Sequence, residues 1–154
     1  NCRIKGLDNH YPDLIIIDRN LKLKKKLKLL QLNKLRKTYV VTSSKNKKKI
    51  NFFKKKNFKF IMIKNLKNKE DFNDLIKKLF SIGKRRILIE TGLIFLNKML
   101  SYNLINNVFI FKSSKSLKLY GSNNTKYNLI RRYKLKHFIN VNLNNDKLYK
   151  IKIK

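Results

Sequence analysis

Residues Arg85 to Gly121, RRILIETGLIFLNKMLSYNLINNVFIFKSSKSLKLYG, constrain this chain more than any other stretch, because they read as three successive structural elements. Ile87, Leu88 and Ile89 form the short apolar run of a buried strand, and Glu90-Thr91-Gly92 interrupts it. From Leu93 to Tyr102 the apolar residues Leu93, Leu96, Met99 and Leu100 recur at steps of three and four, the period of a helix lying on a sheet. Asn103 reads as the helix end, and Val108-Phe109-Ile110-Phe111 as a second buried strand. The stretch therefore predicts a strand–helix–strand unit, the building block of parallel sheets.

The first junction of that unit is where chemistry is expected. A helix that starts at a glycine presents backbone N–H groups and the positive end of its dipole to an anion, most often a phosphate. Glu90 would stand at the carboxyl end of its strand, where open α/β sheets bind ligands and where a carboxylate can accept hydrogen bonds from a polar substrate. The same residues also suit a purely structural reading, with Gly92 making a tight turn and Glu90 favouring the helix start.

Elsewhere the chain alternates strands and helices. Leu14 to Asp18, Lys37 to Thr42 and Phe58 to Ile63 are short, apolar and rich in β-formers. Phe72, Leu75, Ile76, Leu79 and Phe80 follow the steps of an amphipathic helix that ends before Gly83 and packs on the sheet. From Tyr133 to Lys154 apolar and basic residues alternate, which predicts two strands finishing an antiparallel edge, with lysines discouraging edge-to-edge aggregation. Ser113 to Lys126 is the one linker-like stretch. The fold class expected is α/β: a mostly parallel central sheet flanked by helices with an antiparallel C-terminal edge, in a single domain over residues 1–154.

Charge points in another direction. Forty Lys and Arg against eight Asp and Glu give a net charge of +32, which attracts phosphates, nucleic acid or anionic membranes. Yet 33 of the 40 are Lys, Ala is absent, there is one Pro, and Asn, Ile, Phe and Tyr crowd the remainder. This is the residue usage of a compositionally biased, A/T-rich genome, so much of the charge is expected on solvated faces. The densest runs, Lys22 to Lys28 and Lys45 to Lys56, are placed in loops or strand margins. Phe52, Phe53, Phe58 and Phe60 beside the second run suit either single-strand stacking or sheet core, and core is favoured.

Other chemistries are bounded by what the chain lacks. A single cysteine, Cys2, excludes an internal disulfide and suits a reducing cytoplasm. His10 and His137 stand far apart and offer no metal-ligand spacing. No apolar run approaches the roughly 18 residues of a membrane span, and no signal peptide is visible.

The order of elements resembles the C-terminal reductase domain of the bifunctional riboflavin-biosynthesis deaminase/reductase. That family runs strand, Glu-Gly-Gly or Glu-Ala-Gly, helix, Gly-Leu-Val-Asp-Glu and strand. The corresponding residues here are Ile87 to Gly92, Leu93 to Leu100, Asn103-Leu104-Ile105-Asn106-Asn107 and Val108 to Phe111. Upstream, Cys2-Arg3-Ile4-Lys5-Gly6-Leu7 and Pro12 to Arg19 look like the family's Leu-Thr-x-Arg turn and Pro-x-Arg-Val-Val-Leu-Asp strand, and Tyr39-Val40-Val41-Thr42 like its next strand. The resemblance covers about residues 1 to 121. Thr91 departs from the small residue usual between acid and glycine, and Asn106-Asn107 from the Asp-Glu pair. A chain opening at Asn1-Cys2-Arg3 starts inside a family motif, so it is expected to be part of a longer gene product.

The resemblance implies a dihydrofolate-reductase-like fold and reduction, by NADPH, of the ribose of a phosphorylated ribosylamino-pyrimidine to a ribityl chain. Arg3 would pair with the substrate phosphate and Glu90 would bind the substrate's polar groups. Thr42 and the helix start Gly92, Leu93, Ile94, Phe95, Leu96, Asn97 and Lys98 would hold the cofactor. No catalytic acid is assigned. The implied partners are a zinc deaminase domain upstream, which these residues cannot themselves supply, and a second copy in a homodimer. Two other readings compete: a basic RNA-binding or ribosomal protein, and an inactive relative of the reductase.

Overall fold

A computed structural model describes residues 11–26, 35–115, 132–136, 138–141, 143 and 145–153. The chain divides into two compact units, Asn1–Arg85 and Arg86–Lys154. The fold is mixed α/β, with a parallel three-stranded sheet, helices and a separate antiparallel sheet.

The first unit runs β1 (Leu14–Ile17), β2 (Thr38–Thr42), α1 (Lys47–Lys54), β3 (Phe58–Met62) and α2 (Lys69–Ser81). The three predicted strands all form and pair in parallel, with β2 in the middle. Every residue of β2 is buried. Val40 and its β3 neighbour Phe60 leave one face, while Tyr39, Val41 and Ile61 leave the other. Burial on both faces is the condition of a parallel sheet covered above and below.

Lys45 to Lys56 is not the expected loop. It contains α1, whose start is capped by the Asn46 side chain accepting the Lys49 N–H at 3.0 Å. Ile50 and Phe53, three apart, turn one face of this lysine-rich helix inward. Phe53 joins Leu21, Val40 and Phe58 in a buried cluster, with Ile16, Leu23, Ile50, Phe52 and Phe60 packed against it. Phe53 makes edge-on ring contacts with Phe52 and Phe58 at 5.3 and 5.4 Å between centroids. These aromatics are core, and the run from Lys22 runs through an exposed loop in which Lys25 sits over the Phe52 ring at 5.0 Å.

The predicted amphipathic helix is α2, with Phe72, Leu75 and Leu79 buried and Phe80 left 61% exposed. It stops as predicted. Gly83 takes φ of +81°, its N–H donates to the Phe80 carbonyl, and the Lys84 N–H reaches the Leu79 carbonyl.

The second unit contains α3 (Leu93–Ser101), β4 (Asn107–Lys112), β5 (Phe138–Ile139) and β6 (Lys147–Lys152). Its apolar core is Met99, Leu100, Ile105 and Val108. Asn103 ends α3 as expected, in the left-handed region at φ of +56°, closing the same pair of bonds that Gly83 closes after α2. The parallel strand–helix–strand reading needs correcting. Residues 87–89 form no strand, and Leu88 is 73% exposed. The strand that does form, β4, pairs antiparallel with β6. An apolar run becomes a strand only where a neighbour takes its hydrogen bonds, and among the described residues nothing pairs with 87–89. The tail strands form as predicted, but β6 is the middle strand of the order β4-β6-β5 and not an edge.

Candidate functional site

The start of α3 is the candidate site, and its local chemistry sets it apart. Gly92 occupies the N-cap with φ −72° and ψ 161°, a conformation open to any residue. No side chain caps the helix, no acid lies in its first turn, and a side chain at Gly92 would meet nothing within 4 Å. The tight-turn reading of this glycine therefore fails, since neither backbone nor packing within the described residues requires it. What remains, among the described residues, is a helix start with no side-chain cap and no acid in its first turn.

The predicted residues are distributed unevenly around this point. Glu90, Thr91 and Gly92 are exposed, Leu93 and Phe95 half-buried, and Ile94 54% exposed. The Leu96 N–H already donates to the Gly92 carbonyl at 3.1 Å and so is closed to any ligand. Asn97 and Lys98 lie farther along, roughly 6 and 7.5 Å by helix rise from Leu93. Lys98 belongs to the last turn, where its carbonyl accepts the Tyr102 N–H and the Ser101 hydroxyl. The structure thus brings together Glu90, Gly92 and the first turn, and places Asn97 and Lys98 apart from them.

Thr42 lies in the first unit and is wholly buried. Its hydroxyl donates to the Arg19 carbonyl at 2.9 Å and accepts the Ser44 N–H at 3.2 Å. With its side chain consumed in joining the ends of β1 and β2, the direct cofactor contact expected of Thr42 does not fit this geometry. The residues at these carboxyl ends that sequence reasoning passed over are Arg19, Ser43 and Ser44. Arg19 is exposed, and its carbonyl also takes the Ser43 N–H and hydroxyl, each at 3.0 Å. The polar run Thr42-Ser43-Ser44 directly after a strand was the signal for them. Asp18 is tied down beside them, its carboxylate accepting the Leu23 N–H at 2.8 Å.

A groove of about 800 Å³ lies instead at the opposite ends of these strands, lined by Arg36, Lys37, Lys54, Asn57, Phe58 and Lys59 among others. It is wide open, and it flanks the amino ends of β2 and β3. Ligands in open α/β sheets sit at carboxyl ends, so the groove is not the candidate site. Arg3, Cys2, His10 and His137 lie outside the described residues. Among the described residues no cluster of His, Cys, Asp and Glu could hold a metal ion, and no helix is long and apolar enough to cross a membrane.

The sequence matches the family model of the RibD C-terminal domain over residues 1–126, and the chain belongs to that family. It is the reductase-type domain of riboflavin biosynthesis. No curated protein sequence matches the chain significantly.

Proposed function

We propose that this domain uses NADPH to reduce the ribosyl group of 5-amino-6-(5-phosphoribosylamino)uracil to a ribityl group, in the cytoplasm, beside a zinc deaminase domain and as a homodimer. The observation that carries the cofactor assignment is the start of α3: an uncapped helix N-terminus, no acid in its first turn, and open space at Gly92. A pyrophosphate fits those conditions, because first-turn amides donate to its oxygens and the helix dipole favours its charge. NADPH, when bound, supplies the hydride. The residues of the chain bind and orient: the amides of Leu93 and Ile94 hold phosphate, and Glu90, exposed two residues before Gly92, accepts hydrogen bonds from the polar groups of the substrate. Arg3 is assigned to the substrate phosphate on the family resemblance alone.

NADPH titration across a range of salt, for the native chain and for Gly92→Asp, tests this. Aspartate is a favoured N-cap and a Cβ at this position meets nothing within 4 Å, so the variant keeps its helix while placing a negative charge where the phosphate would sit. Saturable binding that survives moderate salt and weakens at least about tenfold in the variant supports the assignment. Binding that falls steadily with salt and ignores the substitution means that lysine charge alone attracts the dinucleotide.

A further inference from the structure

Among the described residues the exposed phenylalanines are Phe80, Phe109, Phe111 and Phe138, and none of them lies in the lysine runs at 22–28 and 45–56. Phe109 and Phe111 stand two apart on β4, 48% and 68% exposed. Residues two apart leave the same face of a sheet, about 6.8 Å from one another along the strand. Opposite Phe109 on β6 is Lys150, opposite Phe111 is Leu148, and opposite Asn107 is Lys152. Cross-strand partners share a face, so two rings and two lysines lie side by side, with the Lys150 Nζ 6.0 Å from the centre of the Phe109 ring. None of the three strands, NVFIFK, FI and KLYKIK, carries an acid.

We propose that this face binds single-stranded nucleic acid, with bases stacked on Phe109 and Phe111 and phosphates held by Lys150 and Lys152. Exposed rings on one strand with cations on its neighbour are what an unpaired nucleic-acid strand requires: a π-face for each base and a positive charge for the backbone. The ring spacing is about twice the 3.4 Å rise of stacked bases, which suits a strand whose neighbouring bases are pulled apart. A second copy of the chain fits poorly. A two-fold contact through this face would bring lysines near their own counterparts, in a protein of net charge +32. A protein partner fits less well also, because the cores of protein interfaces are depleted in lysine. The site is independent of the reductase reading and uses none of its residues.

The test is fluorescence anisotropy with a short labelled oligouridine and with a duplex of equal length, over a salt series. The native chain is expected to prefer the single strand. Phe111→Ser should weaken that binding roughly 5- to 150-fold without altering the salt slope, Phe111→Tyr should retain it, and Lys150→Gln should flatten the slope by about 0.7. Equal affinity for both oligonucleotides with Phe111→Ser unchanged would overturn the proposal in favour of diffuse lysine charge. Loss of binding in the tyrosine variant would overturn it too, as would sedimentation showing copies that associate through this face without preferring the single strand.

Discussion

Helices α2 and α3 solve the same problem in opposite ways. Each must satisfy the amides of its first turn. α2 does so internally: the Asn68 side chain accepts the Asp71 N–H at 3.0 Å, the Asp71 carboxylate accepts the Asn68 and Lys67 N–H groups, and Glu70 adds a second negative charge. α3 begins at Gly92 with none of these. The burial differs as well. α2 buries residues from its first turn to its last, whereas α3 buries only Met99 and Leu100 near its end. A helix closed at its start and buried along its length is suited to hold a fold; the start of α3, lacking such a cap, is the place where the proposed phosphate would bind.

The sharpest way to break this contrast is to remove the burial that distinguishes α2. Phe72 is 1% exposed, so Phe72→Ala should cost about 3–5 kcal/mol in urea denaturation, while Ile94→Ala, at an exposed position of α3, should stay within about 0.5 kcal/mol. Comparable losses at both would mean that α3 is as much a packing helix as α2. Next comes the ligand side. Hydrogen bonds to a charged group are worth about 1.5–3 kcal/mol, so Gly92→Asp should weaken NADPH binding roughly 10- to 150-fold. Asn68→Ala should leave that binding unchanged and instead lower stability by about 1 kcal/mol. A drop in NADPH affinity with Asn68→Ala, measured by the same titration, would erase the division of labour between the two helix starts.

Much of this was legible in the sequence, and the misses share a physical cause. β1, β2, β3 and α2 were readable because their apolar period matches the surface each buries locally. α1 was not, because six lysines between Lys47 and Lys56 masked the three-residue step from Ile50 to Phe53. Ile87-Leu88-Ile89 carries the same composition as β1, yet strand formation depends on a neighbour that composition does not encode. Likewise Val108-Phe109-Ile110-Phe111 reads as a buried strand, and only the pairing with β6 shows that its two rings face outward. At the candidate site, Glu90 and Gly92 stand out in sequence by their spacing between an apolar run and a helix. Thr42 was misread because a strand-end hydroxyl looks the same in sequence whether it faces a ligand or closes a loop. Asparagine also stands where glycine is usual, at φ of +62°, +56° and +73° for Asn57, Asn103 and Asn145, in a chain with four glycines.

The ends of the two helices extend the comparison and give its smallest expected effect. Both close with the same backbone bonds, and α2 is followed by an ion pair: the Lys84 ammonium meets the Asp13 carboxylate just before β1, and also lies 5.4 Å from the Tyr39 ring centre. The hydrogen bond to Asp13 raises the Lys84 pKa above its ordinary value, with burial opposing it. A cation whose folded-state pKa is raised stabilises the fold fully below the unfolded-state value and loses that stabilisation as pH climbs through the folded one. The contribution of this pair should therefore be constant from neutral pH to about 10 and fade above it. Other lysines and tyrosines titrate in the same window, so the quantity to follow is the difference in urea midpoint between the native chain and Asp13→Asn at each pH. That difference should be present at pH 8 and close as pH climbs through the raised Lys84 value; if it persists unchanged, Asp13 holds β1 through some contact other than the Lys84 charge.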